Sequence, residues 1–269
     1  MGRKRFFSRL FYLCVCLFLC LAISACNFPG STQPVIKIGL IAPFDGRYRS
    51  IGYEAIYAAR LAIREINAQG GINGYRLELV ALDDRGEPDQ AIEAARKLTI
   101  DRQVVAVIGH YRPDTTDAAL ETYCNQRIPV IAIESVYPLP DKCLQPIDVF
   151  VLGHASIERW LSKPLVFVSN VPDPNAFPVA QNFVAAYNAI PIDGTRAGPI
   201  AFQTYDAMYL VFDAIQRAAK IDPDSVRAEL PRPRAGLGGH YAFDPQGNLI
   251  DAKVYAFEYD NAGKPKLIP

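Results

Sequence analysis

The sequence predicts an α/β protein built on a parallel sheet. Three observations carry that expectation. Between Ile36 and Gly109, stretches of strand character alternate with stretches of helix character, joined by short polar segments. The strand-like stretches are almost continuously apolar, as strands covered on both faces are. Gly70-Gly71 and Pro88 stand at joints between the stretches. This βαβα order implies right-handed crossovers and a Rossmann-like lobe.

Ile36–Ala42 is the first apolar strand. Gly52–Gln69 follows as a helix, with Ala55, Ile56, Ala59, Ala62, Ile63 and Ile66 on one face. Gly70-Gly71 stops it by supplying the positive φ of a C-cap. Arg76–Leu82 is the second strand. Pro88 suits the first turn of the next helix, whose inner face is Ala91, Ala94, Ala95 and Leu98. Val104–Ile108 is the third strand, and Asp114 is placed to cap a helix running to Gln126. Pro129–Ile133 is the fourth strand. These elements form a first lobe over residues 36–148.

After Val149–Leu152 the pattern thins. Leu165–Val168 reads as a strand. Ala176–Ala189 reads as a helix with Phe183, Val184 and Tyr187 inward, Ala201–Ala219 as a longer one, and Asp222–Leu230 as a short one. His240–Phe243 and Lys253–Tyr259 read as a hairpin around Pro245–Asn248. Residues 149–269 are thus expected to form a reduced second α/β lobe with a returning C-terminal segment.

Residues 1–25 read as an address. Arg3, Lys4, Arg5 and Arg9 precede an apolar run, Leu10–Ala22, of signal-peptide length. The run ends in Ile-Ser-Ala-Cys, small residues before Cys26, which predicts a lipoprotein signal with lipidation at the Cys26 sulfur. An uncleaved membrane anchor is the competing reading. Residues 26–35 then form a tether. Loss of residues 1–25 leaves 24 basic against 28 acidic side chains, a net charge of −4. That mild acidity argues against nucleic acid as a partner. Beyond Cys26 the mature chain holds Cys124 and Cys143, an even pair that in an exported protein reads as a disulfide, with two buried thiols as the alternative. His110, His154 and His240 show no metal-ligand spacing, so neither a metal nor a cofactor is expected.

Four motifs in order, IGLIAPFDG, EINAQGGINGYRLELV, Asp83-Asp84 and QVVAVIGH, resemble the opening lobe of the type I periplasmic binding proteins, in the leucine/isoleucine/valine-binding branch. TYDAMYLVFDAIQRAAKIDPDSVRAEL and GHYAFDPQGNLIDAKVYAFEYDNAGK resemble that family's C-terminal end. The resemblance implies capture of a small molecule outside the cytoplasm, with an ABC permease as partner and a lipid anchor in the membrane. The family's usual βα units of the second lobe belong between Gly153 and Leu165, where about 30 residues per unit cannot fit. Half of the ligand clamp is then missing, so binding no tighter than micromolar is expected. A lipoprotein that uses a truncated scaffold for sensing or protein contact is the alternative.

Ligands of open α/β sheets sit beyond the carboxyl ends of the strands. That rule selects the loops Phe44–Ile51, Asp83–Glu87, His110–Thr116 and Glu134–Tyr137. The candidate ligand-binding residues are Arg47, Tyr48, His110, Thr115, Thr116, Glu134 and Ser135, with Arg112 also facing the cleft. Pro113 removes an N–H from the third loop and Asp114 opposes a carboxylate there. Asp83 and Asp84 are expected to bond loop backbone rather than a metal. No G-x-S-x-G or H-E-x-x-H motif is present, so an enzyme is not expected.

Overall fold

The computed structural model describes residues 33–135, 149–154, 166–169, 173–191, 196–245, 247–250, 255–259 and 265–268. The chain divides into two compact units, Met1–Pro34 and Val35–Pro269. The signal peptide, Cys26 and most of the tether lie outside the described residues, as does Cys143.

Val35–Pro269 is organised on a five-stranded parallel sheet. Its strands are β1 (Val35–Ala42), β2 (Arg76–Asp83), β3 (Val104–Ile108), β4 (Val130–Ser135) and β5 (Val149–His154), in the order β2-β1-β3-β4-β5. Helices α1 (Arg49–Ala68), α2 (Pro88–Thr99) and α3 (Pro113–Gln126) make the crossovers. β3 is apolar and buried throughout, and β1 is so apart from its partly buried start, where Lys37 pairs with Asp101 at 2.7 Å, because both faces of the sheet are covered. On one face α2 and α3 pack Ala91, Leu98, Ala119 and Tyr123 against Val104, Val107 and Val130. On the other, α1 packs Ala55, Ala59 and Ala62 against Ile36, Ile38 and Leu40.

β5 pairs in parallel with β4, Val130 opposite Val149 and Ser135 opposite His154. Residues on the two sides of the boundary expected at 148/149 therefore share one sheet, which has five strands rather than four. Two later helices also belong with this sheet: α5 (Pro199–Arg217) and α6 (Pro223–Glu229), which follow α4 (Gln181–Asn188). Met208, Leu210, Val211, Phe212 and Ile215 of α5, with Val226 of α6, enter the core on the α1 side. Each fully buried side chain of this kind contributes about 1.5–3 kcal/mol.

The motif between α1 and β2 has a clear physical role. The Asn67 amide donates to the Leu77 carbonyl at 2.8 Å and its oxygen accepts from the Leu77 N–H at 2.9 Å, pinning the helix end to the strand. Ile72 and Tyr75 exchange backbone hydrogen bonds across Asn73-Gly74, whose φ values are +51° and +82°, the Asn-Gly turn of a tight hairpin.

A second sheet, β10-β9-β6, is antiparallel: β6 (Val166–Ser169), β9 (Tyr255–Tyr259) and β10 (Pro265–Ile268). Between these in sequence, β7 (Arg234–Gly236) pairs with β8 (Gly239–Tyr241). The expected hairpin of 240–243 with 253–259 is thus replaced. Asp206 of α5 takes the N–H groups of Leu237 and Gly238 and the Tyr241 hydroxyl, which folds residues 234–241 back on themselves. The turn after Asp244 closes locally through a Phe243–Leu249 bridge, and β9 goes to β6. The expected helix over 176–189 begins only at Gln181, because Pro174 and Pro178 open two single 3-10 turns before it.

α5 is fastened to α1 by polar groups as well. The Tyr205 and Tyr209 hydroxyls donate to one Glu65 oxygen at 2.5 and 3.0 Å. Glu54 accepts the Ala201 N–H at 2.8 Å and so caps the N-terminus of α5 from another helix. Burial raises the Glu54 carboxyl from 4.5 to about 7, although the amides it caps pull it down. The folded state therefore holds a proton that the unfolded chain releases above about 4.5. This contribution to stability is complete below that pH and is lost as pH rises through about 7. Glu54→Gln keeps the accepting oxygen and removes the titration. The stability of the wild type relative to this variant should fall between about pH 5 and about pH 8, by roughly 3 kcal/mol at most. Urea denaturation of both proteins at the two pH values checks this, and a difference that does not change with pH would contradict it.

Candidate functional site

The loops after β1, β2 and β3 meet the end of β4 at the carboxyl edge of the sheet. After β1, Asp45 caps a 3-10 turn, Gly46–Tyr48, through the Gly46 N–H at 2.8 Å. After β2, Asp83 accepts from the N–H groups of Phe44 at 2.7 Å and Arg85 at 2.9 Å, joining the first two loops. Asp84 accepts from the Gly86 N–H at 2.9 Å. Both aspartates thus bond loop backbone, as the sequence implies. Among the described residues no group of three or more His, Cys, Asp or Glu side chains could hold a metal ion.

Asp84 also leads inward. Its second oxygen lies 2.6 Å from His110 Nδ1, and His110 Nε2 lies 2.9 Å from the Tyr123 hydroxyl. All three side chains are buried. The carboxylate accepts, so Nδ1 carries the hydrogen in this arrangement. The His110 carbonyl accepts from Ile133 and Glu134 N–H at 3.3 Å each. One buried chain of polar groups therefore ties the second loop, the third loop, α3 and the end of β4.

The expected site residues divide accordingly. His110 lies beneath the loops with both ring nitrogens engaged. Thr115 and Thr116 are buried, with their hydroxyls on the Arg112 carbonyl at 3.0 and 2.9 Å; the Thr116 hydroxyl is also 2.6 Å from the Glu134 carbonyl. These hydroxyls hold the start of α3. The helix begins at Pro113 with Arg112 as its N-cap, so Asp114 sits in the first turn rather than capping it. Ser135 ends β4 and pairs through its backbone with His154.

The outer group is Arg47, Tyr48, Arg112 and Glu134. The Arg112 guanidinium carbon lies 4.1 Å from the centroid of the Tyr48 ring and that of Arg47 4.3 Å from the same centroid. Gly86 makes this packing fit. Its φ is +69°, and a Cβ there would stand 2.6 Å from the Tyr48 ring and 3.1 Å from Arg112 Cδ. Arg112 also pairs with Asp114 at 2.6 Å. Burial raises the Glu134 carboxyl to about 7, and the Arg112 charge draws it part of the way back. The roles of Gly86 and Tyr123 were not marked by any local pattern; the D-R-G-E run signals only a turn.

The model of the periplasmic binding protein family matches residues 35–176. That stretch contains β1 through β6 and the whole carboxyl edge described above. The chain belongs to the periplasmic binding protein family. Among relatives, an amino acid binding protein of Pseudomonas aeruginosa is 37% identical over 103 residues, which are 38% of this chain and 28% of that protein. A leucine-, isoleucine-, valine-, threonine- and alanine-binding protein of the same organism is 33% identical over 122 residues, 45% of this chain and 32% of that one. The matched stretches span about a third of the length of these curated relatives. The solved branched-chain amino acid transporter substrate binding protein of Streptococcus pneumoniae, in complex with isoleucine, has a TM-score of 0.74 at 17% identity. The alignment covers 87% of this chain and 99% of that one, and it establishes the fold.

Within this family member, Asp84 is the residue on which the loop arrangement rests. Asp84→Ala leaves the His110 Nδ1–H and the Gly86 N–H without their acceptor in a buried site. A loss of about 2–4 kcal/mol is expected in urea denaturation, against less than about 0.5 kcal/mol for the exposed Arg47→Ala. Equal stability of the two variants would remove Asp84 from this role.

Proposed function

We propose that this protein is a lipid-anchored, extracytoplasmic solute-binding protein of an ABC importer, binding a small polar ligand such as an amino acid or amide. It has no enzymatic role in this reading. The supporting observation is the meeting of three strand-end loops and the end of β4 around Tyr48, Arg112 and Glu134 in a chain of the periplasmic binding protein family. The names of the relatives, which bind amino acids, point the same way. A thermal-shift screen of the mature protein with amino acids, small amides and short peptides tests it. A ligand at about 100 times its Kd should add roughly 2.7 kcal/mol of stability. Absence of any stabilising solute would sink the transport reading.

The second lobe is read as reduced. Eleven residues, 155–165, separate β5 from β6, and the second sheet among the described residues is antiparallel rather than built of crossover units. A clamp with one short jaw binds weakly, so calorimetry should find nothing tighter than micromolar. The same observation favours a second reading, a lipoprotein that keeps the scaffold for sensing or protein contact.

Lipidation at Cys26 and a Cys124–Cys143 disulfide complete the proposal. The position of Cys124 near the end of α3 and the even pair of cysteines beyond Cys26 support the pairing, and the N-terminal sequence supports the anchor. Mass spectrometry of the protein extracted from membranes reads both. The expected result is an acylated N-terminal Cys26 peptide and a peptide linking Cys124 to Cys143. An unmodified Cys26 or a free Cys143 thiol would reject the corresponding assignment.

A further inference from the structure

The first turn of α3 has little to offer an anion. Pro113 has no N–H, the Thr115 N–H is taken by the Asp114 carboxylate at 3.0 Å, and the Thr116 N–H is taken by the Arg112 carbonyl at 3.0 Å. Donors at this edge of the sheet come instead from side chains. Arg85 is already held between Asp45 at 3.6 Å and Asp83 at 3.8 Å. Arg112 is not saturated. One of its terminal nitrogens donates to Asp114, and among the described residues neither its buried Nε nor its other terminal nitrogen, which is not buried, meets an acceptor. Its guanidinium lies over the Tyr48 ring, and its stem runs so close to Gly86 that a Cβ there would stand 3.1 Å from Arg112 Cδ. An arginine fixed in this way presents a preorganised fork, and a fork matches the two oxygens of a carboxylate.

The surroundings limit the charge of that ligand. Asp114 lies 2.6 Å from the guanidinium, and Glu134 stands close enough to exchange electrostatic influence with it. Two acidic groups beside one arginine repel a dianion more strongly than a monoanion. Resting on the solute-binding reading above, we propose that Arg112 is the specificity-determining residue of the cleft and that it selects organic monocarboxylates through its side chain, in place of recognition by the amides of a helix N-terminus. An ammonium group on the ligand is not required.

The wild-type protein provides the first test without any variant. Carboxylates are paired with the primary amides of the same skeletons, for example 4-methylpentanoate with 4-methylpentanamide, and benzoate with benzamide. Leucine and inorganic phosphate are included. In calorimetry and thermal shift, at least one carboxylate should bind at least about tenfold more tightly than its amide, and phosphate should not stabilise the protein. Arg112→Gln should abolish this discrimination. Arg112→Lys keeps the charge but loses the fork, so it should retain only part of it. Amides that bind as well as their carboxylates, discrimination that survives Arg112→Gln in a folded variant, or phosphate that binds best would each overturn the inference while leaving solute binding intact. If neither series contains a binder, the inference and the solute-binding reading fall together.

Discussion

The buried Asp84 carboxylate is the constraint on which the carboxyl edge of the sheet depends. Its two oxygens face opposite ways, one to the Gly86 N–H in the loop and one to His110 in the core. A carboxylate removed from water is tolerated only when its lone pairs are met by donors, and here both are. The outer group inherits its geometry from this arrangement. Gly86 carries Tyr48 and Arg112 against it, and the His110 carbonyl fixes the end of β4, where Glu134 stands. The residues exposed to solvent are therefore positioned by residues that solvent does not reach.

Much of the fold was legible in the sequence because its signals are local. Continuous apolar strands, alanine-lined helix faces and the Asn-Gly turn each depend on neighbours a few residues away. The failures have equally specific causes. Asp114 resembles a cap, but Pro113 starts the helix two residues earlier than that cap would and leaves Arg112 at the cap. Thr115 and Thr116 looked like ligand hydroxyls, although threonines in a first turn readily bond carbonyls three or four residues back. His110 was legible as important but not as buried, because its partner Asp84 is 26 residues away. The Glu54 cap of α5 spans 147 positions, and no window along the chain could connect the two. The assignment of Tyr255–Tyr259 failed for a similar reason: its choice between two partners was settled by Asp206, which draws residues 237–241 away.

The site was legible in outline and not in detail. The strand-end rule selected loops that lie together at one edge of the sheet. It could not say which side chains of those loops face outward, since alternation is absent in irregular backbone. Arg47, Tyr48 and Glu134 emerged at the open edge, while His110 and the two threonines turned inward to support it.

The fastening of α5 to α1 has a consequence for how the protein is made. The tyrosines that reach Glu65 lie 140 and 144 residues later in the chain, and the apolar face of α5 completes the core over β1. Contacts of such long range are slow to form, because the entropy of closing the intervening loop precedes any gain from the contact. A nascent chain that has emerged only as far as β5 has all the strands of its principal sheet and yet leaves uncovered the apolar surface beside α1 that α5 later covers. Such a segment is prone to association with its own kind until the last third of the polypeptide arrives. The order of synthesis, rather than final stability, is then the step at which this architecture is most vulnerable.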